Sequence, residues 1–371
     1  MNIMLPIPLA LAALTNVQPA GSVSLIDAGL GRTQGVVERI TPRELLVSID
    51  GAPARAISAE RWIGFSSEIP AAEASPMLIL TDGQRFSGTP AGGSGESLRW
   101  QATSAGMVEA PLERIDRVIL APQLDPGPDP AALGDIVILT NGDRLDGYVA
   151  ALGDRIEIEV EGGRIIDLPM QRAAVIDLAN PPAERSGAYM WFADGAVARL
   201  RAEGEQYWLQ AAPSGWESTA PLERARAFVY DASRITALSD LPVGDYQPIS
   251  RRWTPAPIVD RGAGAPLWSA PVELPGPMRV IWPLPDNAVR FGAIIALRDD
   301  SRVWGDCEVI VGQVRAGAQV ELGRVRLDSA QPAAQLTVDV TAGDLIITVE
   351  PGASGPIQDR VRITGALLLT D

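Results

Sequence analysis

Hydrophobic positions along this chain fall into short runs broken by Gly, Pro, Asp and Asn, and several of the runs alternate with polar residues. Ser97-Leu98-Arg99-Trp100-Gln101 and Arg155-Ile156-Glu157-Ile158-Glu159-Val160 alternate strictly, the period of a strand with one buried face. The pattern predicts an all-β protein.

One pattern recurs. An apolar strand ends in Thr-Asp-Gly or Thr-Asn-Gly, a second leaves through Gly, a third is aliphatic or aromatic, and the unit closes on an apolar segment ending near Asp. The clearest copies begin Met77-Leu78-Ile79-Leu80-Thr81-Asp82-Gly83 and Ile136-Val137-Ile138-Leu139-Thr140-Asn141-Gly142. Asp-Gly and Asn-Gly supply the positive backbone angles of a tight hairpin turn, so each copy starts as a hairpin. Weaker copies carry Ile26-Asp27-Ala28-Gly29 and Phe192-Ala193-Asp194-Gly195, and Ala110-Pro111-Leu112-Glu113-Arg114 returns as Ala220-Pro221-Leu222-Glu223-Arg224. Four repeats are expected, over residues 21–75, 76–124, 131–180 and 187–233. At about 40 residues with four or five strands, each resembles an Sm-like or SH3-like small barrel. Pro-rich segments, Pro122 to Pro130 and Asn180 to Glu184, read as semi-rigid spacers. Whether the units sit as beads on a string or share strands is left open.

From Leu238 to Asp371 the pattern changes to seven or eight short strands with no helical period. They include Met278–Pro285, Arg290–Leu297, Trp304–Val311, Gln319–Leu327, Gln335–Val340, Asp344–Glu350 and Val361–Leu369. This predicts an antiparallel jelly-roll β-sandwich after the tandem barrel-like repeats.

Composition narrows the chemistry. The chain has 371 residues, 46% of them hydrophobic, a net charge of −15 and no histidine, and all its basic side chains are arginines. Such a surface cannot neutralise phosphates, so nucleic acid is not an expected partner and anionic membranes are disfavoured. Without histidine, Ser-His-Asp and Cys-His catalysis are excluded. Cys307, the single cysteine, lies between Asp306 and Glu308, where negative charge raises a thiol pKa; a buried strand thiol is expected. Residues 1–20 are uncharged with an apolar core from Ile3 to Leu14, which resembles a secretory signal, although no Lys or Arg precedes it. No later run is long enough for a transmembrane helix, so the expected setting is secreted, periplasmic or cell-surface.

The last third resembles the NPCBM modules, a carbohydrate-binding class with a galactose-binding-like β-sandwich, found on glycoside hydrolases and in secreted bacterial proteins. The likeness rests on several segments: Leu241-Pro242 leading to Trp253, Ile281-Trp282-Pro283-Leu284-Pro285, Phe291 to Leu297 with Asp299-Asp300, Gly305 to Val311, and Asp359 to Leu367. The family's glycine-histidine loop is replaced by Gly276-Pro277-Met278-Arg279. The resemblance implies a non-catalytic protein binding a glycan or polysaccharide. The alternative is a structural protein of the cell envelope whose repeats engage protein partners.

Sugars are held by aromatic faces and by carboxylates or arginines that grip hydroxyl pairs. The candidate ligand residues are therefore Trp253, Trp268, Arg279, Asp299, Asp300 and Trp304. Trp282, mid-strand beside Ile281, reads as core. Asp299, Asp300 and Asp306 are the oxygen donors a calcium ion would use, although no EF-hand loop is present. Asp299 with Glu308 is a conceivable glycosidase pair, but no cleft-forming domain accompanies it. Gly92-Gly93-Ser94-Gly95 lacks the Lys of a phosphate loop and reads as a turn.

Overall fold

The computed structural model describes residues 21–67, 75–127, 129, 132–204, 206–209, 225–249, 255–259, 265–315, 317–353, 355 and 358–371. Among these the regular elements are strands and short 3-10 turns, and the protein is all-β. The apolar segment over residues 1–20, Arg251 to Trp253 and the returned segment Ala220 to Arg224 lie outside the described residues.

The first unit comprises β1 (Val23–Asp27), β2 (Arg32–Ile40), β3 (Glu44–Ile49), β4 (Arg55–Ser58) and β5 (Trp62–Ser66). They pair antiparallel in the order β5-β1-β2-β3-β4, and a 3-10 turn (Ala59–Arg61) links the last two in sequence. The second unit repeats this order with β6 (Met77–Leu80), β7 (Arg85–Gly93), β8 (Ser97–Ala102), β9 (Gly106–Pro111) and β10 (Ile115–Ile119). The third does so with β11 (Asp135–Leu139), β12 (Arg144–Leu152), β13 (Arg155–Val160), β14 (Arg164–Pro169) and β15 (Ala173–Asp177). The fourth contributes β16 (Ala188–Phe192), β17 (Val197–Glu203), β18 (Gln206–Leu209) and β19 (Ala225–Val229). Bringing first and last strands together curls each unit towards the expected small barrel.

The predicted hairpins are present, in a three-residue form. In the second unit the Gly83 N–H donates to the Leu80 carbonyl at 2.9 Å and Gly83 takes φ 84°; Gly142 and Gly195 repeat this at φ 87° and 81°. A single left-handed residue after a turn is the usual G1-bulge solution. In the first unit that place belongs to Leu30, whose N–H donates to the Asp27 carbonyl at 2.9 Å and whose φ is 64°. A buried leucine in this region is strained, so something outside the turn holds it.

The units pair through their closing strands. β5 runs antiparallel to β19, and β10 to β15, so the first unit joins the fourth and the second joins the third. Gly64 permits the first joint, because a Cβ there would lie 1.8 Å from the Phe228 carbonyl oxygen.

The last third contains β20 (Ile235–Ala237), β21 (Asp245–Pro248), β22 (Ile258–Val259), β23 (Val272–Leu274), β24 (Met278–Leu284), β25 (Ala288–Leu297), β26 (Cys307–Arg315), β27 (Ala318–Leu327), β28 (Ala333–Asp339), β29 (Gly343–Pro351) and β30 (Val361–Thr370). One sheet runs β22-β23-β30-β25-β28 with β20 also on β30, and the other runs β21-β24-β29-β26-β27. Trp282, Val309 and Ile347 from one sheet share a core with Phe291, Ile295 and Ile363 from the other, which makes a β-sandwich. Trp282 is fully buried, as its alternating strand predicts.

A further apolar cluster joins sandwich and repeats: Ile26, Leu30, Ile63, Tyr189, Trp191, Ala227 and Val229 meet Leu267, Leu367 and Leu369. Leu30 is held here. A Cβ on Gly292, in β25, would lie 2.7 Å from the Leu30 Cβ, so the bare backbone of the sandwich receives the strained side chain.

Candidate functional site

The acidic turn between β25 and β26 holds three of the candidate side chains, Asp299, Asp300 and Trp304, in one short segment. Asp299–Ser301 form a 3-10 turn, Ser301 is buried, and its carbonyl accepts from the Gly305 N–H at 2.7 Å. Closing the turn on itself turns Val303 and Trp304 outward: they are 67% and 68% exposed. An indole left in water at a hydrogen-bonded turn is available for stacking.

The carboxylates of this turn are paired with arginines. Arg302 meets Asp299 at 2.8 Å, and Asp300 lies between Arg360 at 3.2 Å and Arg298 at 3.5 Å. Arg298 also reaches Glu273 of β23 at 2.9 Å, tying the turn to the sheet that β25 belongs to. These pairs are solvated and add little stability, but they orient the donors and acceptors around Trp304. Among the described residues no group of three or more acidic or thiol side chains is arranged to hold a metal ion. Glu308, the second member of the conceivable carboxylate pair, is engaged by Arg324.

Below the turn sits a buried carboxyl. Asp359 is 2% exposed, its Oδ1 accepts from the Asp306 N–H at 3.3 Å, and its Oδ2 has no protein partner. Burial pushes Asp359 up to about 6, against the opposing effect of the hydrogen bond from the Asp306 N–H. Asp306 itself pairs with Arg326 at 2.8 Å and accepts from the Ala353 N–H at 3.0 Å, so it closes the base of the turn. Cys307 is buried and free; burial, with Asp359 and Asp306 nearby, raises its thiol to about 12, which makes it a packing residue at neutral pH.

The other candidates lie elsewhere. Trp268 is half-buried at the junction with the repeats, its ring edge-on to Trp191 at 4.7 Å and Tyr189 at 5.0 Å, with the Arg185 guanidinium 4.6 Å from its centroid. Leu267 and Trp268 both take left-handed backbone angles, φ 54° and 56°, which drives this tryptophan into the joint. Arg279 points from the outer face of β24, level with Thr348 and Ile310. That is three positions along β26 from Cys307, about 10 Å at the usual strand rise, and further still from Trp304. The structure thus groups Asp299, Asp300 and Trp304, and separates Arg279 and Trp268 from them. Val303 and Arg360 belong to the same surface and were not anticipated, because an exposed valine has no sequence signature and Arg360 arrives from the distant segment before β30.

No protein-family model and no curated protein matches the chain. Among solved structures it is similar to the CBM51 of a Clostridium perfringens GH95 enzyme in complex with methyl-galactose. That match has 12% identity over 36% of this chain and 99% of that one, at a TM-score of 0.27. It is also similar to tandem CBM51 modules of a Streptococcus pneumoniae family 98 glycoside hydrolase, with 10% identity over 95% and 89% at 0.25. A third is the CBM51-2 and INT fragment of Clostridium perfringens ZmpB, with 14% identity over 50% of this chain and 38% of that one, at 0.29. TM-scores this far below 0.5 carry no argument about ligand or activity, and the sandwich is established by its own strand order.

Proposed function

We propose that this is a non-catalytic carbohydrate-binding protein acting outside the cytoplasm. In this reading the sandwich from about Leu238 to Asp371 presents a glycan site at the 299–304 turn, and the four repeat units form its platform. The observation that supports it is Trp304, 68% exposed in a turn whose arginines and carboxylates are already held in place. Stacking against a sugar ring would use the indole face, while Arg302, Arg360 and Asp299 would meet hydroxyl pairs. The likeness of the last third to NPCBM modules points the same way, and calcium plays no part in the proposal.

The test is a glycan array probed with the full chain, followed by titration of the best neutral hit. Trp304→Ala should weaken binding at least about tenfold, the worth of one aromatic contact, with unchanged thermal stability. Binding that survives this change intact would sink the site assignment, and a blank array would sink the function.

A second reading has its own observation. A groove of about 680 Å³ between the second and third units is bordered by exposed Leu133 and Tyr148 and by Glu96 and Glu113. Under that reading the repeats engage a protein, and Tyr148→Ala would abolish partner binding without touching glycan binding.

A further inference from the structure

The four repeats supply an internal comparison. Directly after each hairpin turn the second strand opens with Arg32 in the first unit, Arg85 in the second, Arg144 in the third and Val197 in the fourth. Arg144 is exposed and pairs with Asp146 at 2.7 Å and Asp129 at 3.0 Å. Arg85 is half-buried, and the charges of Asp116 and Asp240 act on it from beyond ion-pair distance. Among the described residues neither Arg85 nor Arg32 has a carboxylate within ion-pair distance, but Arg85 still feels those two charges, whereas for Arg32 burial alone accounts for the lowering of its pKa to about 10. At neutral pH Arg32 is a half-buried cation without an ion-pair partner, free to take an anion.

Its place is set by the sandwich. The Arg32 Nη2 donates to the Gly365 carbonyl of β30 at 2.7 Å. A Cβ on Gly365 would lie 2.4 Å from that nitrogen, so the guanidinium rests on bare backbone. A guanidinium has five N–H donors, and this contact uses one. Arg32 also borders a cleft of about 220 Å³ between the first unit and the outer face of the β25–β28 pair, with Ser24, Gln34, Ile294 and Gln335 in its walls. The walls hold hydroxyl and amide groups, the apolar side chains of Ile294, Ala333 and Ala334, and a single positive charge.

We propose that this cleft is a second binding site, in which the Arg32 guanidinium takes the carboxylate of an acidic sugar, a uronate residue of a polysaccharide, while Ser24, Gln34 and Gln335 meet its hydroxyls. A carboxylate supplies the geometry the planar fork prefers and the charge the site lacks. That the carboxylate is carried on a sugar rests on the glycan reading above; that the ligand is an anion rests on Arg32 alone.

Calorimetric titration of the full chain with oligogalacturonate and with neutral oligogalactose tests the assignment. The acidic oligomer should bind at least tenfold more tightly, and the gap should close at high salt. Arg32→Met should abolish the preference. Because that change also removes the contact to Gly365, Gln335→Glu serves as a second variant: it places a repelling carboxylate at the cleft without altering the joint. The preference should vanish there. Equal affinity for the two oligomers, or an acidic preference that persists in Gln335→Glu, overturns the inference and leaves the Trp304 site standing. Acid-selective binding that survives Trp304→Ala supports the second site independently, and no binding of the acidic oligomer overturns the second site while the glycan array alone decides the Trp304 reading.

Discussion

The two joints between repeat units are built on one register from different chemistry. Counting along the five-residue closing strands, fourth residues face each other, Phe65 with Phe228 and Val118 with Ile176, and third residues face fifth ones. Each joint is therefore locally two-fold. The joint of the first and fourth units is apolar: Phe65 and Phe228 lie stacked at 6.0 Å, Tyr230 meets Phe228 edge-on at 4.8 Å, and the sandwich covers Ile63, Ala227 and Val229. The joint of the second and third places Arg117 opposite Asp177, with ion pairs to Asp177 at 2.5 Å and Asp125 at 2.7 Å. Backbone pairing alone makes both joints possible, and side chains decide how each responds to its surroundings. One is covered by the sandwich; the other is bridged by ion pairs.

Substitutions should separate the two. Phe228→Ala is expected to have the largest effect, about 3–5 kcal/mol, since it empties a fully buried aromatic site. Thermal unfolding, with loss of amide protection over 225–229 ahead of 115–119, would report it; equal loss in both joints would mean that they do not behave separately. Arg117→Met should cost about 2 kcal/mol by leaving Asp177 and Asp125 without their cation, and adding Asp177→Leu should recover most of that. Failure of the double variant to recover would show that Asp125 dominates.

The pH response should be smaller and confined to one joint. Burial pushes Asp177 up to about 6, outweighing the opposing pull of Arg117, so the folded protein holds this proton more tightly than the unfolded chain does. The contribution of Asp177 is then most favourable below its ordinary value and is lost as pH rises through about 6. Amide protection in β10 and β15 should fall across that window while protection in β5 and β19 stays flat. A rise with pH would contradict the burial argument. Smallest of all, Trp304→Ala should change stability by less than about 0.5 kcal/mol, because the side chain is mostly in water.

Much of the fold was legible in local pattern. Strict alternation marked β8 and β13, and the aspartate-glycine and asparagine-glycine pairs placed the hairpins. The strands of the last third fall within a few residues of where their apolar runs begin and end. The candidate site was legible in part. The acidic turn and Trp304 lie in one segment, so sequence proximity brought them together. Trp268 shared the same loop-rich character, yet its ring is set among Tyr189, Trp191 and Arg185, none of which is near it in sequence. Arg279 looked like a neighbour of the turn, but strand register separates them.

By itself the sequence determined the class of each segment, because hydrophobic period and turn chemistry act over a few residues. It also determined that Trp282 is core and that Cys307 is a strand thiol. Only the tertiary structure decided that the first unit partners the fourth and the second the third. Every unit offers a closing strand of similar length with the same backbone donors and acceptors, so nothing local selects among them. The isolation of Arg32 was decided there too: three units place an arginine at that position, and only the fold determines which of them meets a carboxylate.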